Sequence, residues 1–319
     1  MAWKVLVSAP YFLPVMETYR QRLAEEGVEL IGARVNERLS EEELLEVVTD
    51  IDGIICGDDR ITERVLAAAP RLKVISKWGT GIDSIDAEAA ARQGIPVCRT
   101  RNAFSEPVAD TVLGYMLTFA RKLPWLDRDI RHDRWEKPRL MALGECVLGV
   151  VGVGDCGKAV VRRAVSFGMR VLGNDIVKLP DDFVTATGLE VVSLGKLLAT
   201  ADFVSLNTDL NSTSYHLIGK AQLELMKADA FLINTSRGPV LEEPALIQAL
   251  QQHRIAGAAL DVFEDEPLPA DSPLRVLDNC LLAPHTANSS PRAWDRVHEN
   301  TVRNLLEGLH AAGELNAPS

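Results

Sequence analysis

Residues 146–175 read CVLGVVGVGDCGKAVVRRAVSFGMRVLGND. A β-branched run leads into Gly152, and Gly152, Gly154 and Gly157 stand in G-x-G-x-x-G order before a helix-like stretch. A second β-branched run ends at Asp175, eighteen residues beyond Gly157. Three glycines alone are a weak signal. With a strand before them, a helix after them and an acid at that distance, they make the full dinucleotide-binding arrangement. Gly152 turns the chain, Gly154 lets backbone approach a pyrophosphate, and Gly157 lets helix and strand pack closely. The pyrophosphate then faces the positive end of the helix dipole. Asp155 and Cys156 complete the loop between the second and third glycines. Asp175 is placed to accept hydrogen bonds from the ribose. It is followed by Ile-Val-Lys rather than arginine, and its charge repels a 2′-phosphate, so the expected cofactor is NAD rather than NADP.

The same alternation continues outward. KVLVS (4–8), GVEL (27–30), DGIIC (52–56), LKVIS (72–76) and IPVC (95–98) read as strands separated by helical patterns. Ser40 with Glu43 forms a capping box, and a helix is expected to end by Pro70. After the glycine loop come DFVSLNT, AFLINTS, AGAALDVF and CLLAP. Between the series lies SEPVADTVLGYMLTFARKL, a long apolar helix with Pro107 near its start. SPRAWDRVHENTVRNLLEGLHAAG reads as a final amphipathic helix. Strands alternating with helices predict parallel sheets wrapped by helices. The expected architecture is two α/β units with the site in a cleft between them. The apolar helix and its flanks carry more hydrophobic surface than a solvent-facing helix would, which predicts a symmetric homodimer through the second unit.

The 319 residues are long for one core, in keeping with two domains. A net charge of -11 leaves no basic surplus for nucleic acid or an anionic membrane surface. The opening MAWKVLVSAP reads as a strand rather than a signal peptide. Five scattered cysteines read as free thiols in a reducing compartment, so a cytoplasmic location is expected, with no metal site.

Chemistry concentrates where strands of the second series end, the usual ligand edge of such sheets. NTSRGP places Arg237 at one turn, where a guanidinium can grip a carboxylate with two prongs. ALDVFEDEPL supplies Asp261 and then Glu264, Asp265 and Glu266. LLAPHTANSS supplies His285, one of six histidines. An acidic loop or a lone histidine is ordinarily structural; together they suggest a proton carrier with a carboxylate partner.

These motifs, with KWGTGIDSID (77–86) and VADTVLGYMLTFAR, resemble the NAD-dependent D-isomer-specific 2-hydroxyacid dehydrogenases over nearly the whole chain. The resemblance implies a flavodoxin-like substrate domain, 1–101 with 290–319, and a Rossmann NAD-binding domain, 102–289, that carries the dimer contact. It implies reversible hydride transfer between NAD(H) and C2 of a small D-2-hydroxy or 2-keto acid. His285 is then the acid/base, Glu266 its partner, and Arg237 the group that holds the carboxylate and polarises the keto oxygen. Trp78 and Gly79 are assigned to the substrate through backbone N–H groups. Asn207, Thr208, Thr213 and Thr235 line the cofactor, and Asp261 accepts from the nicotinamide amide.

The chain departs from the family pattern in several places. Asp155 replaces a basic residue, Cys156 an Ile or Leu, Asn207-Thr208-Asp209-Leu210 an H-x-P-L, and Asp110 a glutamate. The CGDDRIT turn has Cys56, Asp58 and Asp59 where phosphoglycerate dehydrogenases carry arginine, with Arg60 and Lys137 nearby. Two alternatives remain beside the general enzyme. One is an NAD(H)-sensing co-regulator of the same fold; the other is a phosphoglycerate-type dehydrogenase with a specialised anionic substrate. Glu266 disfavours the formate-oxidising branch, which has glutamine there.

Overall fold

The computed structural model describes residues 2–315, side chains through 313. The chain divides into two compact units. One takes in the chain up to Ala103 and again from Ser290; the other is Phe104–Ser289.

In the first unit, strands β1 (Trp3–Val7), β2 (Val28–Gly32), β3 (Gly53–Cys56), β4 (Val74–Lys77) and β5 (Val97–Cys98) form a parallel sheet in the order β2-β1-β3-β4-β5. Helices α1 (Met16–Glu25), α2 (Glu41–Val47), α3 (Glu63–Ala67) and α4 (Ala87–Arg92) connect them. The expected capping box opens α2: the Glu43 amide donates to Ser40 Oγ at 3.3 Å, and the Ser40 amide donates to Glu43 Oε2 at 2.8 Å.

In the second unit, α5 (Ser105–Arg121) and α6 (Leu123–Arg131) precede β6 (Val147–Val151), α7 (Asp155–Ser166) and β7 (Arg170–Asn174). Then follow α8 (Asp181–Thr187), β8 (Glu190–Val191), α9 (Leu194–Thr200), β9 (Phe203–Leu206) and α10 (Lys220–Leu225). The unit ends with β10 (Phe231–Asn234), α11 (Glu243–Gln251), β11 (Gly257–Leu260) and β12 (Cys280–Leu282). Its parallel sheet runs β12-β11-β10-β9-β6-β7-β8. The chain moves outward from β6 through β8 and returns to β9 on the other side, so the order reverses beside β6. Ligands bind at such switch points, off the carboxyl ends of the strands. Both units are doubly wound α/β sheets, as expected.

The final helix α12 (Pro291–Leu315) returns to the first unit. Ala293, Val297, Thr301, Leu305 and Leu309, four residues apart, are its buried stripe, and it lies against β3, β4 and β5. The apolar face of α5 is likewise buried: Val108, Val112, Leu113, Met116 and Phe119 pack within the second unit. That face of α5 is therefore internal and cannot serve a dimer contact; of the helix and its flanks, only the stretch after it, with Leu123, Ile130 and Trp135, exposes large apolar side chains. Arg163 of α7 fastens α5 by donating to Glu106 and Asp110, each at 2.6 Å.

One device recurs in both sheets. Asp52, just before β3, accepts from the Lys4 amide at 2.8 Å and pairs with Arg71 at 2.7 Å. Asp202, just before β9, accepts from the Val147 amide at 2.7 Å and pairs with Lys227. Each carboxylate thus sets the start of a neighbouring strand, β1 or β6. No helix among the described residues is long and apolar enough to cross a membrane. All five cysteines are free, and burial pushes the Cys56 and Cys280 thiols up to about 12, far from reactive thiolates.

Trp78 lies in an aromatic cluster of the first unit, 3% exposed and stacked on Tyr11 with ring centroids 4.8 Å apart. Its indole N–H donates to His298 Nδ1 at 2.9 Å. Burial lowers the pKa of His298, outweighing the opposing charges of Asp295 and Glu299. The fold therefore favours the neutral ring, and this contribution to stability is present above ~6.5 and lost as pH falls below it. Thermal melts followed by tryptophan fluorescence should lose stability between pH 7 and 5. His298→Asn, which keeps an acceptor for Trp78 without a titrating ring, should lose less. Equal losses in the two proteins would refute the linkage.

Candidate active site

The glycine loop follows β6 at the switch point. Gly152 has φ +83°, and a Cβ there would sit 2.8 Å from Thr208 Cγ2. A Cβ on Gly157 would lie 2.1 Å from the Gly152 carbonyl oxygen, so only glycine lets α7 start this close to β6. Gly154 differs: a Cβ there would meet no protein atom within 4 Å. The protein's own packing does not require glycine at 154. The open space in front of it, at the start of α7, suits a pyrophosphate.

Asp175 is half-buried at the end of β7 and already organises this loop. Its Oδ2 accepts from the Val153 amide at 2.7 Å and its Oδ1 from the Val177 amide at 2.9 Å. Each carboxylate oxygen keeps capacity for a second donor. Thr208 and Thr235 both carry buried hydroxyls with no hydrogen-bond partner. Buried polar groups are seldom left unsatisfied, so two such hydroxyls, on residues assigned to cofactor contacts, fit a bound NAD. Asp155, at the start of α7, is exposed to solvent. The Cys156 thiol is half-buried, raised in pKa by desolvation, and 3.9 Å from Ser105 Oγ. Two expected contacts turn elsewhere. Asn207 donates its side-chain amide to Ser205 O and Oγ, both at 3.1 Å. Thr213 is exposed and donates its hydroxyl to Asn211 Oδ1 at 2.7 Å.

His285 and Glu266 meet: His285 Nδ1 and Glu266 Oε2 are 2.9 Å apart, both side chains about one-fifth exposed. A carboxylate only accepts, so Nδ1 is the nitrogen that carries hydrogen toward Glu266. Glu266 Oε1 also accepts from the Phe263 amide at 3.0 Å. The His285 backbone has φ +52°, an unfavourable region for a side chain with Cβ. Asp261, 1% exposed, offsets that cost. Its carbonyl accepts from the His285 amide at 2.8 Å. Its carboxylate accepts from Thr286 N at 2.9 Å and Ala287 N at 2.8 Å. Burial raises its pKa, while those amides and His285 oppose the shift. Asp261 was expected to meet a nicotinamide amide; both its oxygens are engaged in holding the segment that bears His285.

Arg237 stands on the turn after β10. Asn234, fully buried, shapes that turn: its Oδ1 accepts from Ser236 N and Oγ, and its Nδ2 donates to the Arg237 carbonyl at 3.0 Å. A Cβ on Gly238 would fall 1.8 Å from Phe263 O, so the Arg237 turn abuts the loop of Glu266. The structure thus brings the loops of Arg237, Glu266 and His285 together. It also separates the acidic run. Glu266 faces His285, Asp265 is exposed, and Glu264 Oε1 lies 2.8 Å from His216 Nε2. His216 was not singled out from the sequence, where nothing near it marks a site; its positive φ and distant partner exist only in the fold.

In the first unit, Trp78 does not match its expected role. Its amide donates to Cys56 O at 2.9 Å, continuing the sheet, and its ring is buried. Gly79, with φ +125°, turns the chain after β4. No metal-binding group of His, Cys, Asp or Glu occurs among the described residues.

Residues 113–287, more than half of the chain, match the family model for the NAD-binding domain of D-isomer-specific 2-hydroxyacid dehydrogenases. The chain is 41% identical over 274 residues to a glyoxylate reductase of Korarchaeum cryptofilum, covering 84% of this chain and 82% of that one. It is 37% identical over 288 residues to a D-3-phosphoglycerate dehydrogenase of Methanocaldococcus jannaschii, covering 88% of this chain and 55% of that one. Among solved structures it superposes on a D-lactate dehydrogenase from Aquifex aeolicus complexed with NAD and lactic acid. The TM-score is 0.86 at 27% identity, covering 98% and 96% of the two chains. With a glycine loop shaped for a dinucleotide and a histidine–carboxylate pair beside an arginine turn, the chain belongs to the D-isomer-specific 2-hydroxyacid dehydrogenase family and is an NAD-dependent oxidoreductase.

Proposed function

We propose that the protein reduces a short, unphosphorylated 2-keto acid of the glyoxylate or hydroxypyruvate kind to its D-2-hydroxy acid, and catalyses the reverse oxidation. The observation that carries the reading is the 2.9 Å contact of His285 Nδ1 with Glu266. Bound nicotinamide supplies or accepts the hydride at C2. In reduction, the imidazolium of His285 gives its Nε2 proton to the keto oxygen; in oxidation, the neutral ring takes the hydroxyl proton. Glu266 orients the ring and favours its charged form. Arg237 binds the carboxylate and polarises the keto oxygen. Asp175 and the hydroxyls of Thr208 and Thr235 hold NAD.

The preference for an unphosphorylated acid is supported by the strand ends of the first unit. Lys77 is ion-paired with Asp58 at 2.7 Å, and Asp59 is fully buried on Ser8, Leu39 and Gly57, so the turn presents no basic cluster. The glyoxylate reductase relatives support it too. We also propose a symmetric homodimer through the second unit, now on the stretch after α5. Leu123, Ile130 and Trp135 are large apolar side chains 56%, 52% and 79% exposed on one short stretch, which favours a protein partner.

Three measurements test these readings. Asp175→Asn keeps an acceptor for Val153 but removes the charge, so the preference for NADH over NADPH in kcat/KM should fall about tenfold or more. Equal use of both cofactors by the unmodified protein would remove the assignment. Across pH, glyoxylate reduction should fall and hydroxy-acid oxidation rise over the same interval. Glu266→Gln should move both profiles to lower pH, and His285→Ala should cost ~10²-fold or more with NADH binding retained. Substantial reduction by His285→Ala with an unchanged profile would return His285 to a structural role. Light scattering should give twice the 34.9 kDa of one chain, and Ile130→Glu with Trp135→Glu should halve it. A monomeric unmodified protein at micromolar concentration would refute the dimer.

A further inference from the structure

A second histidine–carboxylate pair lies beside the one described. His216 Nε2 is 2.8 Å from Glu264 Oε1, and Glu264 is two residues before Glu266. Glu264 is also held by α11: the same Oε1 accepts from the Glu243 amide at 3.1 Å, and the Glu264 amide donates to Glu243 Oε2 at 3.2 Å. His216 also reaches the other loop. Its amide donates to Pro239 O at 2.8 Å, two residues after Arg237. Tyr215 stacks on the imidazole, centroids 4.1 Å apart, and the His216 backbone is in the left-handed region at φ +49°.

We infer that His216 is a positioning residue: through Glu264 it holds the loop that presents Glu266 to His285, and through Pro239 it ties that loop to the Arg237 turn. The inference rests on the acid/base reading of His285 and Glu266 proposed above. The loop needs such a hold. Asp265 is exposed, and Glu266 has one hydrogen bond of its own loop, from Phe263 N. Phe263 O and Glu264 N press against Gly238, so a shift of this segment displaces both loops at once. Displacements of about 1 Å at reacting groups cost on the order of 10²-fold in rate. A carboxylate accepts only, so Nε2 of His216 donates, and a side-chain amide can replace it.

The test is a cycle on the full-length protein. His216→Phe keeps the ring volume and the Tyr215 stack but removes the donor. It should lower kcat for glyoxylate about tenfold, with the KM for glyoxylate and the Kd for NADH within about twofold. His216→Gln retains a donor and should stay within about threefold of the unmodified kcat. In a Glu266→Gln background, where the carboxylate being positioned is gone, His216→Phe should cost less than about twofold. The same loss in both backgrounds, or His216→Gln as impaired as His216→Phe, would overturn the inference. If Glu266→Gln alone leaves kcat and the pH profile unchanged, the acid/base reading fails and this inference with it. If Glu266→Gln is impaired but His216→Phe is not, only the positioning role fails. NADH titration and thermal melts report whether each variant is folded.

Discussion

A buried aspartate with three consecutive residues fastened to it, one by its carbonyl and two by its carboxylate, underlies the candidate site. Asp261 ends the run that begins with β11, takes the amide of His285 on its carbonyl and those of Thr286 and Ala287 on its side chain. Without those bonds, nothing in the local sequence would keep a histidine at φ +52°. Ionised and buried, Asp261 would be costly by itself; amide donors are what make the charge tolerable. The constraint is therefore mutual. The loop satisfies the carboxylate, and the carboxylate holds a backbone conformation that aims the ring at Glu266.

The remaining parts are fixed in the same manner, by groups one step behind those that would meet substrate. Asn234 shapes the Arg237 turn, Gly238 lets that turn touch the Glu266 loop, and Glu264 with Glu243 and His216 grips the loop from behind. At the glycine loop, Asp175 acts on the protein itself, through the Val153 amide. A preformed site of this sort needs little reorganisation when ligands arrive.

Much of this was legible in the sequence where a residue type has one strong physical use. Gly152 and Gly157 are demanded by close backbone approach, Ser40 and Glu43 by an open helix end, and Asp175 by its position at a strand terminus. Arg237, Glu266 and His285 stood out because they end successive strands of one sheet. What escaped was set by tertiary contact. Trp78 reads equally as a pocket or a core residue, and only burial among Tyr11, Trp294 and His298 decides for the core. Asn207 and Thr213 are the exception, since local side-chain bonds to Ser205 and Asn211, two residues away, engage them. The apolar face of α5 was visible, but not what covers it. His216 and Glu264 are 48 residues apart, and no local pattern announces such a pair.

Asp52 and Asp202 occupy the edge opposite the chemistry, where strands begin. Each sets the register at which a strand enters its sheet, and neither sits on a loop that bears a reactive group. Robustness and reactivity are thereby written into different ends of the same strands. The carboxyl edge bears the loops of the candidate site, while the amino edge keeps both sheets in register. Laboratory diversification of this chain has a natural boundary to respect: vary carboxyl-edge loop positions other than Asn234, Arg237, Gly238, Asp261, Glu264, Glu266 and His285, and leave the two aspartates with their cations untouched.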